Sequence, residues 1–229
     1  MYKGFQTKIM NFSHSAFPSG KYFRRTEENS YLAKNFTVSV MEKHALPLVW
    51  RRLEGPEDPC FAEAWRIYDA SFPRCEKRSR EHLVQALADP LFLPQVVLSG
   101  ERVAAVVFCW RTPGGLYLEH LAVDPGLRNE KLGSRILERL VSGGQPVVLE
   151  IEPPADELTR RRCGFYRRNG FFENDHPYLH PSYSRPFEPH PLVLMSRPEP
   201  LTGAQAESFE KFVRETVLRY SDHGPVPEK

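Results

Sequence analysis

The sequence lacks paired cysteines, long apolar runs and any strong imbalance of charge, and each absence removes a class of protein. Its four cysteines, Cys60, Cys75, Cys109 and Cys163, are scattered with no CxxC spacing. That argues against a disulfide scaffold or a zinc site and predicts reduced thiols in a cytoplasmic protein. No apolar run reaches the roughly 20 residues that a membrane-spanning helix needs. No apolar stretch follows the first methionine as a secretory signal requires, so no membrane partner is expected. The eight histidines show no HxxE spacing, and no metal is expected. A formal charge of +2 over 229 residues gives no electrostatic case for nucleic acid.

What is present suits one large domain with appendages. Hydrophobic residues make up 41 % of the chain, enough for a core. Residues 1–45 mix aromatics with seven Lys/Arg and three Glu at no sustained period, and are expected to be a poorly ordered arm. Met41, just before the first strand pattern, is an alternative start of translation. A domain is expected over 46–221 (a core to 197, a C-terminal helix over 202–221), with a tail at 222–229.

Within it, Leu46–Leu53 reads as a strand. Phe61, Ala64, Trp65, Tyr68 and Phe72 recur at helical spacing. Ser79 caps a second helix with Leu83, Ala86 and Leu87 as its buried stripe. Strands follow at Gln95–Leu98, Val103–Trp110 and Leu116–Val123. On the last of these, strict alternation puts Glu119 on one face with Leu121 and Val123, and His120 on the other. The stretch Tyr117–Leu140 (YLEHLAVDPGLRNEKLGSRILERL) then turns from strand to amphipathic helix. Bare amides at that helix start make an anion site. PVVLEI at Pro146–Ile151 is a further strand, Glu157–Asn169 a helix, Phe171-Phe172 and Leu192–Met195 strands, and Thr202 the cap of a last helix. The order β-α-α-β-β-β-α-β-α-β-β-α describes an α/β mixed sheet with helices on both faces.

Three of these segments, LEHLAVDPGLRNEKLGSRIL, PVVLEIEP and GFYRRNGFF, in this order, resemble the GNAT acyltransferase superfamily. Leu149–Pro154, Arg161–Tyr166 and Tyr178–Tyr183 resemble a narrower bacterial group within it. The resemblance covers about Pro47–Arg197 and implies a GNAT-like acyl-CoA fold and acetyl-CoA as co-substrate. It further implies acetyl transfer to an amine of a small molecule or protein, by a monomer or homodimer. Coenzyme A would lie with its pyrophosphate on Arg128, Asn129, Glu130, Lys131, Leu132, Gly133 and Ser134, and its pantetheine along Leu121, Ala122 and Val123. Arg128 and Gly133 match the family's Arg/Gln-x-x-Gly-x-Gly/Ala pattern, whereas Lys131 stands where its first glycine falls.

Tyr166 matches the tyrosine that protonates the departing thiolate; its plainer role is packing. Glu119 is the candidate general base, its apolar flanks expected to raise its pKa. The alternative is a carboxylate that orients substrate or pairs with an arginine. His120 is a weaker candidate, and Glu150 and Glu152 are expected to be structural or orienting. An acceptor pocket is expected from the Tyr178–Tyr183 hairpin, through Tyr178, His180 and Tyr183, with Phe72 and Glu76 opposite. A non-catalytic acyl-CoA-binding module of the same fold is the main alternative function. A nucleic-acid adaptor using Arg160–Arg162 is a weaker one, since these arginines read as a solvated helix face.

Overall fold

The computed structural model describes residues 47–127 and 131–224. The expected arm and the alternative start at Met41 lie outside the described residues. Among the described residues, nine strands and five α-helices follow the expected order with one addition. They are β1 (Leu48–Arg52), α1 (Phe61–Ser71), α2 (Arg80–Leu87), β2 (Phe92–Ser99), β3 (Arg102–Thr112), β4 (Gly115–Val123), α3 (Leu132–Val141) and β5 (Val147–Ile151). Next come α4 (Glu157–Arg168), β6 (Phe172–Glu173), β7 (Leu179–His180), β8 (His190–Pro191), β9 (Val193–Arg197) and α5 (Gly203–Glu215). The addition is the ribbon β7–β8, in which Leu179 pairs with Pro191 and His180 with His190. Tyr178–Tyr183 is thus not a hairpin by itself; its partner strand lies seven residues beyond Tyr183 in the chain.

The main sheet runs β1-β2-β3-β4-β5-β9-β6. Its neighbours are antiparallel except β4 and β5, which run parallel. The central β3 is buried on both faces, which is why Val103–Trp110 is almost continuously apolar. Val106, Phe108 and Trp110 enter a core with α1, α2 and α5, while Ala105, Val107 and Cys109 enter another with α3 and α4. Emptying the place of a buried ring such as Trp110 by alanine costs about 3–5 kcal/mol.

The helix starts follow the sequence signals. Ser79 accepts from the His82 amide at 3.2 Å. Asp156 and Thr159 form a capping box on α4, and Thr202 and Gln205 form one on α5. Helix α3 differs: its N-cap, Lys131, is left-handed at φ +54° and makes no side-chain cap bond.

The first residues of the expected tail are bonded to the loop after β7. The Asp222 amide donates to the Tyr183 carbonyl at 3.0 Å, and the Asp222 carboxylate accepts from the Arg185 amide at 2.8 Å. His223 meets the Ser182 carbonyl at 2.9 Å through Nε2 and stacks on Phe187. Asp222 and His223 therefore clamp the loop that leads out of β7.

Candidate active site

Two irregularities in β4 create the site. First, β4 pairs with β5 only over Leu116–Leu118, opposite Val147–Leu149, while its pairing with β3 continues to Val123. Beyond Leu118 the parallel strands diverge, so one edge of Glu119–Val123 has no strand partner among the described residues. Such an edge presents unpaired N–H and C=O groups to an extended ligand. Second, Phe108 pairs with His120 and Cys109 with Leu118, so Glu119 is an extra, bulged residue.

The bulge resets the alternation, and the expected faces are corrected. Glu119 bonds Trp110 and His120 packs on Tyr68 and Phe108, so both face the core of α1, α2 and α5. Leu121 and Val123 pack on the α3 and α4 side, and Ala122 on the other.

The expected rise in the pKa of Glu119 is also overturned. Its side chain is 1 % exposed and is held by the fully buried Arg78 at 2.6 Å through Oε1. The Trp110 indole donates to Oε2 at 2.9 Å, and the Tyr183 hydroxyl donates to Oε1. Burial alone would push the carboxyl up, but the Arg78 charge, with His120 and the Tyr183 bond, holds it far below the usual carboxylate range. So saturated a carboxylate is a poor proton acceptor. The alternative expectation, pairing with an arginine, is the arrangement observed. Arg78 also donates to the Val217 carbonyl at 3.1 Å and lies over Phe92, Trp110 and Tyr183, tying the segment after α5 to β4.

Glu150, one residue past the last β4–β5 pair, has the opposite environment. Its side chain is 9 % exposed; Oε2 accepts from the Tyr117 hydroxyl at 2.8 Å, and Oε1 is buried with no partner. Burial raises its pKa to about 7, against the pull of the Tyr178 and Tyr117 hydroxyls. His180 Nε2 stands 4.0 Å from Glu150 Oε2. The Ser182 amide donates to His180 Nδ1 at 3.1 Å, so a neutral ring carries its proton on Nε2, towards Glu150. Burial, with His190 beside it, lowers the His180 pKa to about 3 and keeps that ring neutral.

The other expected acceptor residues surround these groups. The ring of Tyr183 stacks on His180 at 5.2 Å, and Tyr178 is buried 6.4 Å from His180. Phe72 meets His120 edge-on at 4.5 Å. The Glu76 carbonyl bonds His120 Nε2 at 2.8 Å, and its carboxylate lies 3.6 Å from His190 Nε2. Burial and the charge of Glu152 raise the Glu76 pKa. Glu152 is itself bonded to Arg162.

The expected anion turn is framed from both sides, although Arg128, Asn129 and Glu130 lie outside the described residues. Asp124, buried at the end of β4, accepts from the Gly126 amide at 2.7 Å and binds Arg66 of α1 and Arg102. Leu132 is buried, and Gly133 and Ser134 follow it in the first turn of α3. A Cβ on Gly133 would sit 3.1 Å from the Phe165 ring, so the glycine also permits α4 to approach α3. Tyr166 packs beside Phe165 and Phe171 on that same side of the sheet, opposite the face that holds Glu119. Burial pushes its hydroxyl up to about 12, with Arg162 pulling the other way. The basic run on α4 is partly spent: Arg162 on Glu152 and Arg160 on the Ala155 carbonyl at 2.8 Å.

The buried carboxyl of Glu150 has a signal in the sequence, a glutamate inside the otherwise apolar strand PVVLEI. Arg78 carried no signal, because its partner lies 41 residues away in the chain.

Comparison with known proteins agrees with this geometry. The family model for the Acetyltransferase (GNAT) family matches residues 58–171. A solved structure of a protein from Bacteroides thetaiotaomicron, described as of the GNAT family, shares 26 % identity. It aligns at a TM-score of 0.69 over 78 % of this chain and 99 % of its own. The ribosomal-protein-S18-alanine N-acetyltransferase of Escherichia coli shares 18 % identity, with a TM-score of 0.47 over 69 % of this chain and 97 % of its own. No curated protein matches the sequence. With the family model covering β4, the turn, α3, β5 and α4, the chain belongs to the GNAT acetyltransferase family.

Proposed function

We propose that the protein is an acetyl-CoA-dependent N-acetyltransferase acting by direct attack of an amine, with Glu150 as general base and Tyr166 as general acid. The observation that carries this reading is Glu150: a buried carboxyl at the strand divergence, its pKa about 7, with one oxygen unpartnered. A base with a pKa near the working pH combines a populated acceptor form with useful basicity.

The co-substrate fits the residues present. The free edge of β4 at Leu121–Val123 suits the amides of an extended pantetheine. The bare amides at Leu132–Ser134, at the positive end of α3, suit a pyrophosphate. Arg128, Asn129, Glu130 and Lys131 complete that cradle in this reading. Acetyl-CoA supplies an activated thioester, and the protein supplies proton transfer and position. An ammonium has no lone pair, so the acceptor first gives a proton to the Glu150 carboxylate. The free nitrogen then adds to the thioester carbonyl, the C–S bond breaks, the thiolate sulfur takes the Tyr166 proton, and the excess proton on the nitrogen leaves to restore the Tyr166 hydroxyl, giving a neutral amide and the free thiol. Tyr166 keeps its proton until that step because its pKa is about 12. Cys75, whose carbonyl bonds the Tyr183 amide, offers no ready thiolate for a covalent route, since burial raises its pKa.

Four free cysteines accord with the reducing cytoplasm as its compartment. The test is thermal-shift titration with acetyl-CoA followed by thiol release over a panel of amines. Stabilisation with amine-dependent release supports the reading. Stabilisation without release would leave an acyl-CoA-binding module, and no response at all would remove the family's co-substrate.

A further inference from the structure

Among the described residues, five buried side-chain polar atoms have no hydrogen-bond partner, and all five lie in one cluster. They are Glu150 Oε1, Tyr178 OH, His120 Nδ1, His190 Nε2 and Arg78 Nε; of these, His120 Nδ1 stands 3.5 Å from Glu119 Oε2 and His190 Nε2 3.6 Å from Glu76 Oε1. The cluster is continuous: His180 lies 4.0 Å from Glu150, its ring 5.4 Å from that of His190 and 5.2 Å from that of Tyr183, which lies 6.1 Å from His120. Buried polar groups are almost always bonded, so Glu150 Oε1, to which no side chain donates within bonding distance, marks the place in this cluster that bonds a ligand.

Charge narrows the ligand. Four carboxylates, Glu76, Glu119, Glu150 and Glu152, face this region, and Glu76 and Glu150 each feel the negative charge of another member. The charges of the two arginines within it are already paired, Arg78 with Glu119 and Arg162 with Glu152, although Arg78 Nε has no hydrogen-bond partner. Glu150 is left without a counter-charge, since His180 is held neutral by burial, while Glu76 has His190 Nε2 at 3.6 Å. Tyr117, Tyr178 and Tyr183 add aromatic rings, which attract a cation. A second carboxylate entering here would meet like charge with both nearby guanidinium groups engaged.

Resting on the reading of this cluster as the acceptor site, we propose that it takes a small primary amine that carries no carboxylate, and that it discriminates against free amino acids. The ammonium is bonded by Glu150 Oε1 with Glu76 as a further negative charge, while the Tyr178 hydroxyl and the histidine nitrogens serve the polar groups of the ligand.

Matched pairs that differ only in a carboxylate test this: tyramine against tyrosine, tryptamine against tryptophan, cadaverine against lysine. Calorimetric binding to the full chain without acetyl-CoA reads the pocket by itself. At least one decarboxylated member should bind on the order of 100-fold more tightly than its amino acid. Glu76→Gln, at a side chain that is 26 % exposed and tolerant of change, should weaken that binding several-fold without lowering the melting temperature. Equal binding within every pair, tighter binding of the amino acids, or no effect of Glu76→Gln would overturn the proposal. Thiol release with the same pairs separates the two claims. Selective amine binding without any release contradicts the transferase reading and leaves the pocket assignment standing, whereas release with equal rates within pairs does the reverse.

Discussion

Glu150→Gln should make the protein more stable at alkaline pH, and by an amount that the structure sets. A carboxyl raised from 4.5 to about 7 binds more protons folded than unfolded between those values. Stability therefore falls as pH rises through that window, by a limit of about 3 kcal/mol above pH 7. The amide carries no charge at any pH and can still accept from the Tyr117 hydroxyl, which lies 2.8 Å from Oε2. At pH 4, below both values, the two proteins should be equally stable within about 0.5 kcal/mol. At pH 8.5 the variant should gain up to about 3 kcal/mol, or roughly 6–10 °C in melting temperature for a domain of this size. Urea unfolding at both pH values measures the difference. The free energy of Glu119 changes with pH in the opposite sense, since its carboxyl is held low, but it is common to both proteins and cancels. A stability difference that does not change with pH, or a variant less stable at pH 8.5, would refute the reasoning about Glu150.

Three further outcomes follow from the same geometry. Glu119→Gln leaves the Arg78 guanidinium buried beside an uncharged amide and should cost about 3–5 kcal/mol in urea unfolding; little or no loss would mean that the pair is not held as described. Lys131→Gly removes a side chain from a left-handed residue at φ +54° and should stabilise the protein by about 1 kcal/mol. A loss of stability on that change would show that the lysine side chain makes compensating contacts. Tyr166→Phe should keep acetyl-CoA stabilisation while lowering kcat by roughly 100-fold, and unchanged turnover would remove its role as acid.

The elements were legible because burial imposes period on sequence: β3 is apolar throughout since both its faces are covered, and Ser79 and Thr202 cap the helices they precede. Phe72, Glu76, Tyr178, His180 and Tyr183 could be grouped because loops flanking the family motifs converge on one end of the sheet. The bulge was not legible. Nothing local in LEHLAV marks Glu119 as an extra residue, and one extra residue places His120 on the same face. Nor could the proton affinities of Glu119 and Glu150 be ranked from sequence. Both are glutamates in apolar strands, and what separates them is Arg78, brought to one and not to the other by the packing of α2 and the segment after α5. The role of Lys131 was half visible: its departure from the glycine pattern was clear, and its left-handed backbone explains why a glycine suits that place.

The most direct test of the central claim is the pH profile of kcat for thiol release from acetyl-CoA, at saturating amine, in the wild type and in Glu150→Gln. Activity should rise with pH through a single ionisation near 7 as the carboxylate forms. In the variant that limb should vanish, with kcat at the plateau reduced by roughly 100-fold or more. An unchanged limb and an undiminished rate in Glu150→Gln would contradict the account.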